Sequence, residues 1–169
     1  MRILGLDPGL RHTGWAVIDV KGSRLSPVAA GVVNTDGAAP LAKRLVELYE
    51  GLEEVIETFA PEQAAVEETF INKNPTSTLK LGLARGVALL VPARAGLDVA
   101  EYPANLVKKS VVGAGHATKE QIQAMIRVLL PGMKVSSADA ADACAVAVTH
   151  AHHGATRARL GGIMAGGSR

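Results

Sequence analysis

The chain has 169 residues, 48% of them hydrophobic, with 18 basic against 16 acidic side chains, a formal net charge of +2 and one cysteine. That length suffices for one sizeable core but not for two ordinary domains and a linker, and so small a net charge does not by itself single out a nucleic-acid partner. Cys144 has no partner for a disulfide, the apolar run after Arg2 is cut by Asp7 and Pro8 too early for a signal peptide, and the most apolar stretch, Leu79 to Ala100, is broken by Lys80, Arg85, Pro92, Arg94 and Asp98; a cytoplasmic protein without membrane contact is expected.

Ile3 to Leu6 form a short apolar run ending at Asp7-Pro8-Gly9, the pattern of a buried strand that delivers its last side chain to a turn. Thr13 to Val20 and Leu25 to Val33 are rich in β-branched residues and flank Lys21-Gly22-Ser23-Arg24, which predicts an antiparallel hairpin. Leu41, Leu45, Leu48, Leu52, Val55, Ile56 and Phe59 then recur at helical spacing, with charged residues on the other side. Ala64-Ala65-Val66 is a further short strand in a β-helix-β setting, expected to run parallel to the first and to end at Glu67. A helix is predicted from about Thr78 to Val91, and a fifth strand from Val99 to Tyr102. Thr118-Lys119-Glu120-Gln121 has the form of a capping box opening a helix over Ile122, Met125, Ile126, Leu129 and Leu130, stopped by Pro131-Gly132. The last helix begins near Ser137 and runs to about His150. Residues 1–154 are expected to form one domain, and residues 155–169, rich in Gly, Ala, Arg and Ser, a disordered basic tail. Basic residues concentrate in the second half, at Lys108, Lys109, Lys119, Arg127 and Lys134 and again beyond His150.

Acidic side chains arrive at three separated places. Asp7 ends the first strand, Glu67 or Glu68 ends the fourth, and Asp139 with Asp142 lies in the last helix. Strand alternation sends one of Glu67 and Glu68 away from any shared site without saying which. If strands one and four are adjacent and parallel, their acids project from one sheet edge, where open sheets commonly place ligands. The i, i+3 spacing of Asp139 and Asp142 puts both on one helix face. Taken singly, Asp7-Pro8-Gly9 is an ordinary turn signal and Asp139 a first-turn acid complementing the helix dipole. Asp142 is harder to dismiss, because it sits within an alanine-rich segment where a carboxylate is costly unless it meets a cation. Hydrolysis of a phosphodiester needs an activated water, neutralised charge on phosphorus and a stabilised leaving oxygen, which two divalent ions about 3.5–4 Å apart supply. Magnesium needs hard oxygen ligands of this type.

Ile3-Leu4-Gly5-Leu6-Asp7-Pro8-Gly9 with Thr13-Gly14-Trp15, Val66-Glu67-Glu68-Thr69-Phe70, Leu79 to Gly86, Val111 to Gly115 and Asp139-Ala140-Ala141-Asp142-Ala143 together resemble the RuvC family of Holliday junction resolvases. The resemblance runs from the first strand to His150, with five motifs in order, and leaves only the tail after Gly154 unmatched. It implies an RNase H-like α/β fold with a five-stranded mixed sheet, its first three strands antiparallel, flanked by helices on both faces. It further implies that Asp7, Glu67, Asp139 and Asp142 are catalytic and hold two Mg²⁺ per active site, with Mn²⁺ able to substitute, since Asp139 in place of another member's histidine leaves an all-oxygen ligand set.

By the same resemblance Lys108 and Lys119 are needed for activity, and Phe70 inserts at the junction and stacks on a base. From the residues alone the lysines are solvated surface groups and Phe70 is equally a plug beneath its loop. Lys73, Lys80 and Lys109 join Lys108 and Lys119 as phosphate contacts. The partners implied are four-way junction DNA, a second copy of the chain and the RuvA-RuvB branch-migration complex. Gly82, Ala84, Gly86 and Ala88 permit a close helix approach, either to this chain's own sheet or across a dimer. His150, His152 and His153 lack a Cys or carboxylate partner at ligand spacing and are not expected to bind metal. The activity expected is a metal-dependent endonuclease making paired symmetric nicks in junction DNA during recombination and repair. The alternatives are an RNase H-like nuclease of the YqgF type acting on structured RNA, and a junction-binding protein without catalysis. An actin-like or hexokinase-like phosphotransferase shares the opening strand and acid but needs a second large domain and a second glycine-rich phosphate loop.

Overall fold

The computed structural model describes residues 1–68 and 74–165, with side chains as far as residue 154. Five strands, β1 (Arg2–Asp7), β2 (His12–Lys21), β3 (Arg24–Asn34), β4 (Gln63–Glu68) and β5 (Asp98–Pro103), form one sheet in the order β3-β2-β1-β4-β5. The β1–β2 and β2–β3 pairs are antiparallel, and β1–β4 and β4–β5 are parallel. The expected hairpin and the expected parallel neighbour of the first strand are both present.

Alternation along each strand sorts side chains to two faces. Leu4, Leu6, Val17, Ala64 and Val66 point to the face covered by α1 (Leu41–Phe59) and α2 (Pro75–Arg94). Ile3, Ala16, Ile18, Ala65 and Tyr102 point to the opposite face, covered by α3 (Ala104–Val112), α4 (Lys119–Leu129) and α5 (Ala138–Ala165). Helix α5 lies directly on the sheet, and Ala143 to Val148 along it are fully buried or nearly so. Small side chains make that contact possible, because alanine lets a helix backbone approach a sheet closely.

Three boundaries differ from expectation. No helix is expected between Pro103 and Thr118, yet α3 occupies Ala104–Val112 and closes at Gly113, whose φ of 83° is the left-handed cap that glycine supplies. Helix α2 starts at Pro75 rather than near Thr78, because the Asn74 side chain accepts hydrogen bonds from the amides of Thr76 and Ser77. Helix α5 continues to Ala165, past the end expected near His150. Among the described residues no helix is long and apolar enough to cross a membrane.

Candidate active site

Asp7 and Glu67 stand at the carboxyl ends of adjacent parallel strands, one step beyond the paired residues Leu6 and Val66. Asp7 follows Ile3 and Gly5 on the α5 face, and Glu67 follows Ala65 on that face, so alternation sends Glu68 to the opposite side of the sheet. The choice between Glu67 and Glu68 is thereby made by register. Helix α5 begins over the same edge. Ser137 caps it by accepting from the Ala140 amide at 3.1 Å, which fixes Asp139 in its first turn and Asp142 one turn on.

The turn carrying Asp7 is fastened by Thr13, which belongs to the opening motif, and by Arg44, which no sequence pattern singles out. The Thr13 hydroxyl donates to the Gly9 carbonyl at 2.6 Å and accepts from the Gly9 amide at 3.2 Å. Arg44, reaching over from α1, donates to Thr35 Oγ1 at 3.0 Å and to the Leu10 carbonyl at 3.3 Å. A rigid turn keeps the strand-end carboxylate at one position instead of sampling several.

The four acids act on one another. Burial, and after it the negative charges of Glu67, Asp142 and Asp139, push the Asp7 carboxyl up to about 8, against the opposing pull of Lys119. Burial and Asp142 push Glu67 up to about 7, with Lys108 and Lys119 pulling it down. Asp142 is raised too, by burial first. Asp7, Glu67 and Asp142 are thus partly withdrawn from water and near enough to feel neighbouring charge, with Asp139 acting on Asp7 and Asp142. Among the described residues no three His, Cys, Asp or Glu side chains stand close enough together to enclose a metal ion. Lys119 Nζ is 4.0 Å from Asp142 Oδ2, and its side chain is otherwise 71% exposed, so it is free to move toward an incoming anion.

The structure therefore brings together Asp7, Glu67, Asp139, Asp142, Lys108 and Lys119. Lys109 on α3 and Lys80 on α2 are exposed, and neither is among the charges that act on Asp7, Glu67 or Asp142. Phe70 and Lys73 lie outside the described residues. The late histidines have structural partners: His150 is sandwiched between the Tyr102 hydroxyl and Gln63 Oε1, each at 2.9 Å, and His153 stacks at 5.5 Å from the Tyr102 ring. Cys144 is buried, which pushes its thiol up to about 12 and leaves it unreactive.

A three-stranded antiparallel meander, two further parallel strands and helices on both faces, with acids gathered at one strand edge, place the chain in the RNase H-like class. The yeast mitochondrial Holliday junction resolvase shares this fold, with a TM-score of 0.66 at 13% identity over 94% of this chain and 81% of that one. A family model described as crossover junction endodeoxyribonuclease RuvC matches residues 3–150. The enzyme of that description from Paramagnetospirillum magneticum is 60% identical over 98% of this chain and 99% of its own, and that from Rhodopseudomonas palustris is 58% identical over 98% and 95%. Thermus thermophilus RuvC, solved in complex with a Holliday junction substrate, superposes with a TM-score of 0.85 at 35% identity, over 93% of this chain and 96% of that one. The chain belongs to the RuvC family.

Proposed function

We propose that this chain is a crossover junction endodeoxyribonuclease that resolves Holliday junctions in recombination and repair, hydrolysing DNA phosphodiesters with Asp7, Glu67, Asp139 and Asp142 as ligands of two divalent ions. The observation that carries this reading is the burial of those carboxylates beside one another: burial first, and neighbouring acids after it, hold Asp7 and Glu67 far above the ordinary carboxylate range. A protein gains nothing in stability from such crowding, and the arrangement is relieved when cations enter. The donor set fits the metal. It contains only carboxylate oxygens, the ligands that Mg²⁺ and Mn²⁺ prefer.

When bound, the ions supply Lewis acidity for water attack and charge neutralisation at phosphorus. The chain's own residues do the rest. The strand ends hold Asp7 and Glu67 at fixed positions, and α5 presents Asp139 and Asp142 across from them. Lys108 and Lys119 offset the negative charge of the phosphate and of its crowded surroundings. Phe70 stacks on an unpaired junction base, with Lys73, Lys80 and Lys109 on flanking phosphates. Residues 1–154 constitute the nuclease domain, with 155–169 a basic extension, and the enzyme works in the cytoplasm beside a RuvA-RuvB branch-migration complex.

A four-way junction has paired strands of like polarity, so paired nicks call for a two-fold dimer. Helix α2 offers a surface for it. Ala84 and Ala88 are fully buried against this chain's own core, whereas Gly82 and Gly86 have open space in front of them. Around those glycines Leu79 is 72%, Leu83 43% and Leu90 57% exposed. These residues recur at i, i+4 and i+11 along one stripe, which a second copy of the same helix would cover.

Asp7→Asn, assayed on a synthetic four-way junction with Mg²⁺, is expected to bind the junction and leave it uncut. Cleavage at the wild-type rate by a folded variant would remove the mechanism. Cutting of structured RNA in preference to the junction would move the assignment to the RNA-processing relatives.

A further inference from the structure

Two glycines under the start of α5 have no part in the chemistry above, yet they set how near that helix comes to the sheet. Gly14 on β2 is the register partner of Asp7. A methyl carbon at Gly14 would come to 2.0 Å from the Asp139 carbonyl oxygen, 2.4 Å from its carbonyl carbon and 3.2 Å from the Ala140 amide nitrogen. At Gly5, two residues before Asp7 on the same face, it would meet the Ala143 carbonyl oxygen at 2.3 Å and the Ala147 amide nitrogen at 2.7 Å. These are backbone atoms, so no rotamer change relieves the overlap. The helix would have to lift by on the order of 1 Å to regain ordinary contact distances.

The side chains beneath α5 form a taper. Moving along β2 away from the acids, the residues facing the helix are Gly14, Ala16 and Ile18, and along β1 they are Gly5 and Ile3. The bulk thus grows with distance from Asp7, and the first two turns of α5, which carry Asp139 and then Asp142, are seated closely on the two glycines. Good burial alone does not demand this, because alanine at either glycine would bury more apolar surface than glycine does.

We infer that Gly14, with Gly5 behind it, is a positioning residue that fixes the gap between the helix carboxylates Asp139 and Asp142 and the strand carboxylates Asp7 and Glu67, and so sets the affinity of the site for divalent ions. This rests on the reading of those four groups as metal ligands. Coordination distances for small hard cations are tight, so a shift of about 1 Å in two of four ligands is large on the scale that matters.

The test is Mn²⁺ binding to the full chain without DNA, measured by isothermal titration calorimetry, alongside thermal melting in EDTA. Gly14→Ala is expected to bind Mn²⁺ at least tenfold more weakly than wild type while still melting cooperatively. Gly31→Ala serves as the comparison, since its methyl would press on the Trp15 ring and not on α5; its Mn²⁺ affinity is expected to match wild type. Asp142→Glu, which adds one methylene of reach, is expected to recover part of the lost affinity in the Gly14→Ala background and to reduce affinity on its own. A folded Gly14→Ala with wild-type affinity, or an equal loss in Gly31→Ala, overturns the inference. If Gly14→Ala fails to melt cooperatively, Gly5→Ala is read by the same criteria, and failure of both to fold assigns the contact to folding and overturns it too. Wild-type protein that takes up no Mn²⁺ would instead refute the metal-ligand reading beneath it.

Discussion

Asp7 and Glu67 carry a stability consequence that can be worked out from their titration alone. Both carboxyls are held above their ordinary values, at about 8 and about 7, by burial first and by neighbouring acids next. A group that binds its proton more tightly when folded stabilises the fold fully below its unfolded value, and that contribution fades as pH rises through the folded one. The metal-free protein is therefore expected to lose thermal stability between about pH 4 and pH 8. Divalent ions bind the ionised forms, so the upward shift in melting temperature on adding Mg²⁺ should grow across the same interval. Scanning calorimetry in EDTA and in Mg²⁺ at several pH values checks both trends, and a shift that is flat with pH would contradict them. Asp7→Asn removes a buried charge without changing shape. It is expected to raise stability in EDTA at pH 8 by about 1–3 kcal/mol and to reduce the Mg²⁺-dependent shift. Lys119 gives a separate expectation. Its exposed ammonium, 4.0 Å from Asp142, contributes little to folding, so Lys119→Met should melt within a degree or two of wild type. If it offsets charge at the scissile phosphate, junction cleavage should fall about 100-fold. Single-turnover rates at saturating junction separate this effect from weaker binding.

Helix α4 shows how a local device supports the site from one element away. Thr118 Oγ1 accepts from the Gln121 amide at 3.3 Å, and Gln121 Oε1 accepts from the Thr118 amide at 2.8 Å, the reciprocal pair of a capping box. Lys119 is the first residue inside that cap. Thr118→Ala is expected to cost about 1 kcal/mol and to lower cleavage several-fold by letting the first turn fray, with Gln121→Ala giving a smaller effect of the same sign. Amide hydrogen exchange over residues 119–122 reads the fraying directly. The capping box was legible in the sequence because its side chains are local, and α1 was legible because one face is apolar over its whole length. Helix α3 was not: it is only Ala104–Val112, with Val107 and Val111 as its buried residues, too few to establish a period. Helix α5 carries little amphipathic signal because its middle is surrounded by protein, so it was read from its run of alanine and valine rather than from a periodic apolar face. At the site, Asp7 and Glu67 stood out as carboxylates ending apolar runs. The preference for Glu67 over Glu68 could not be derived from pattern, because Ala64, Ala65 and Val66 are all apolar and buried and give alternation nothing to distinguish. The seat of α5 on Gly5 and Gly14 was equally hidden, since glycine within a strand signals weak pairing unless the helix above it is known.

At the scale of the molecule, the proposed function gives each chain a carboxylate site at one sheet edge, while a symmetric junction has two strands to cut. The coupling of the two cuts then depends on what holds two chains together. The exposed stripe on α2 makes a quantitative expectation possible. A two-fold contact there would bury Leu79 and Leu83 from each copy, and four leucines at roughly 1.5 kcal/mol or more apiece amount to roughly 6 kcal/mol. Leu79→Glu/Leu83→Glu would lose that and add like charges face to face, so sedimentation should find a monomer at concentrations where wild type is expected to be dimeric. Neither side chain contributes to the core, and the fold should be unaffected. The two activities then come apart. On a supercoiled plasmid extruding a cruciform, two cuts within one encounter yield linear DNA, whereas single cuts relax the substrate and accumulate nicked circles. The variant is expected to keep nicking, because each carboxylate site lies within one chain, and to shift its product from linear to nicked circular. If it stays dimeric, the interface is elsewhere; if it is monomeric and still yields linear DNA at the wild-type ratio, paired incision does not require the second copy.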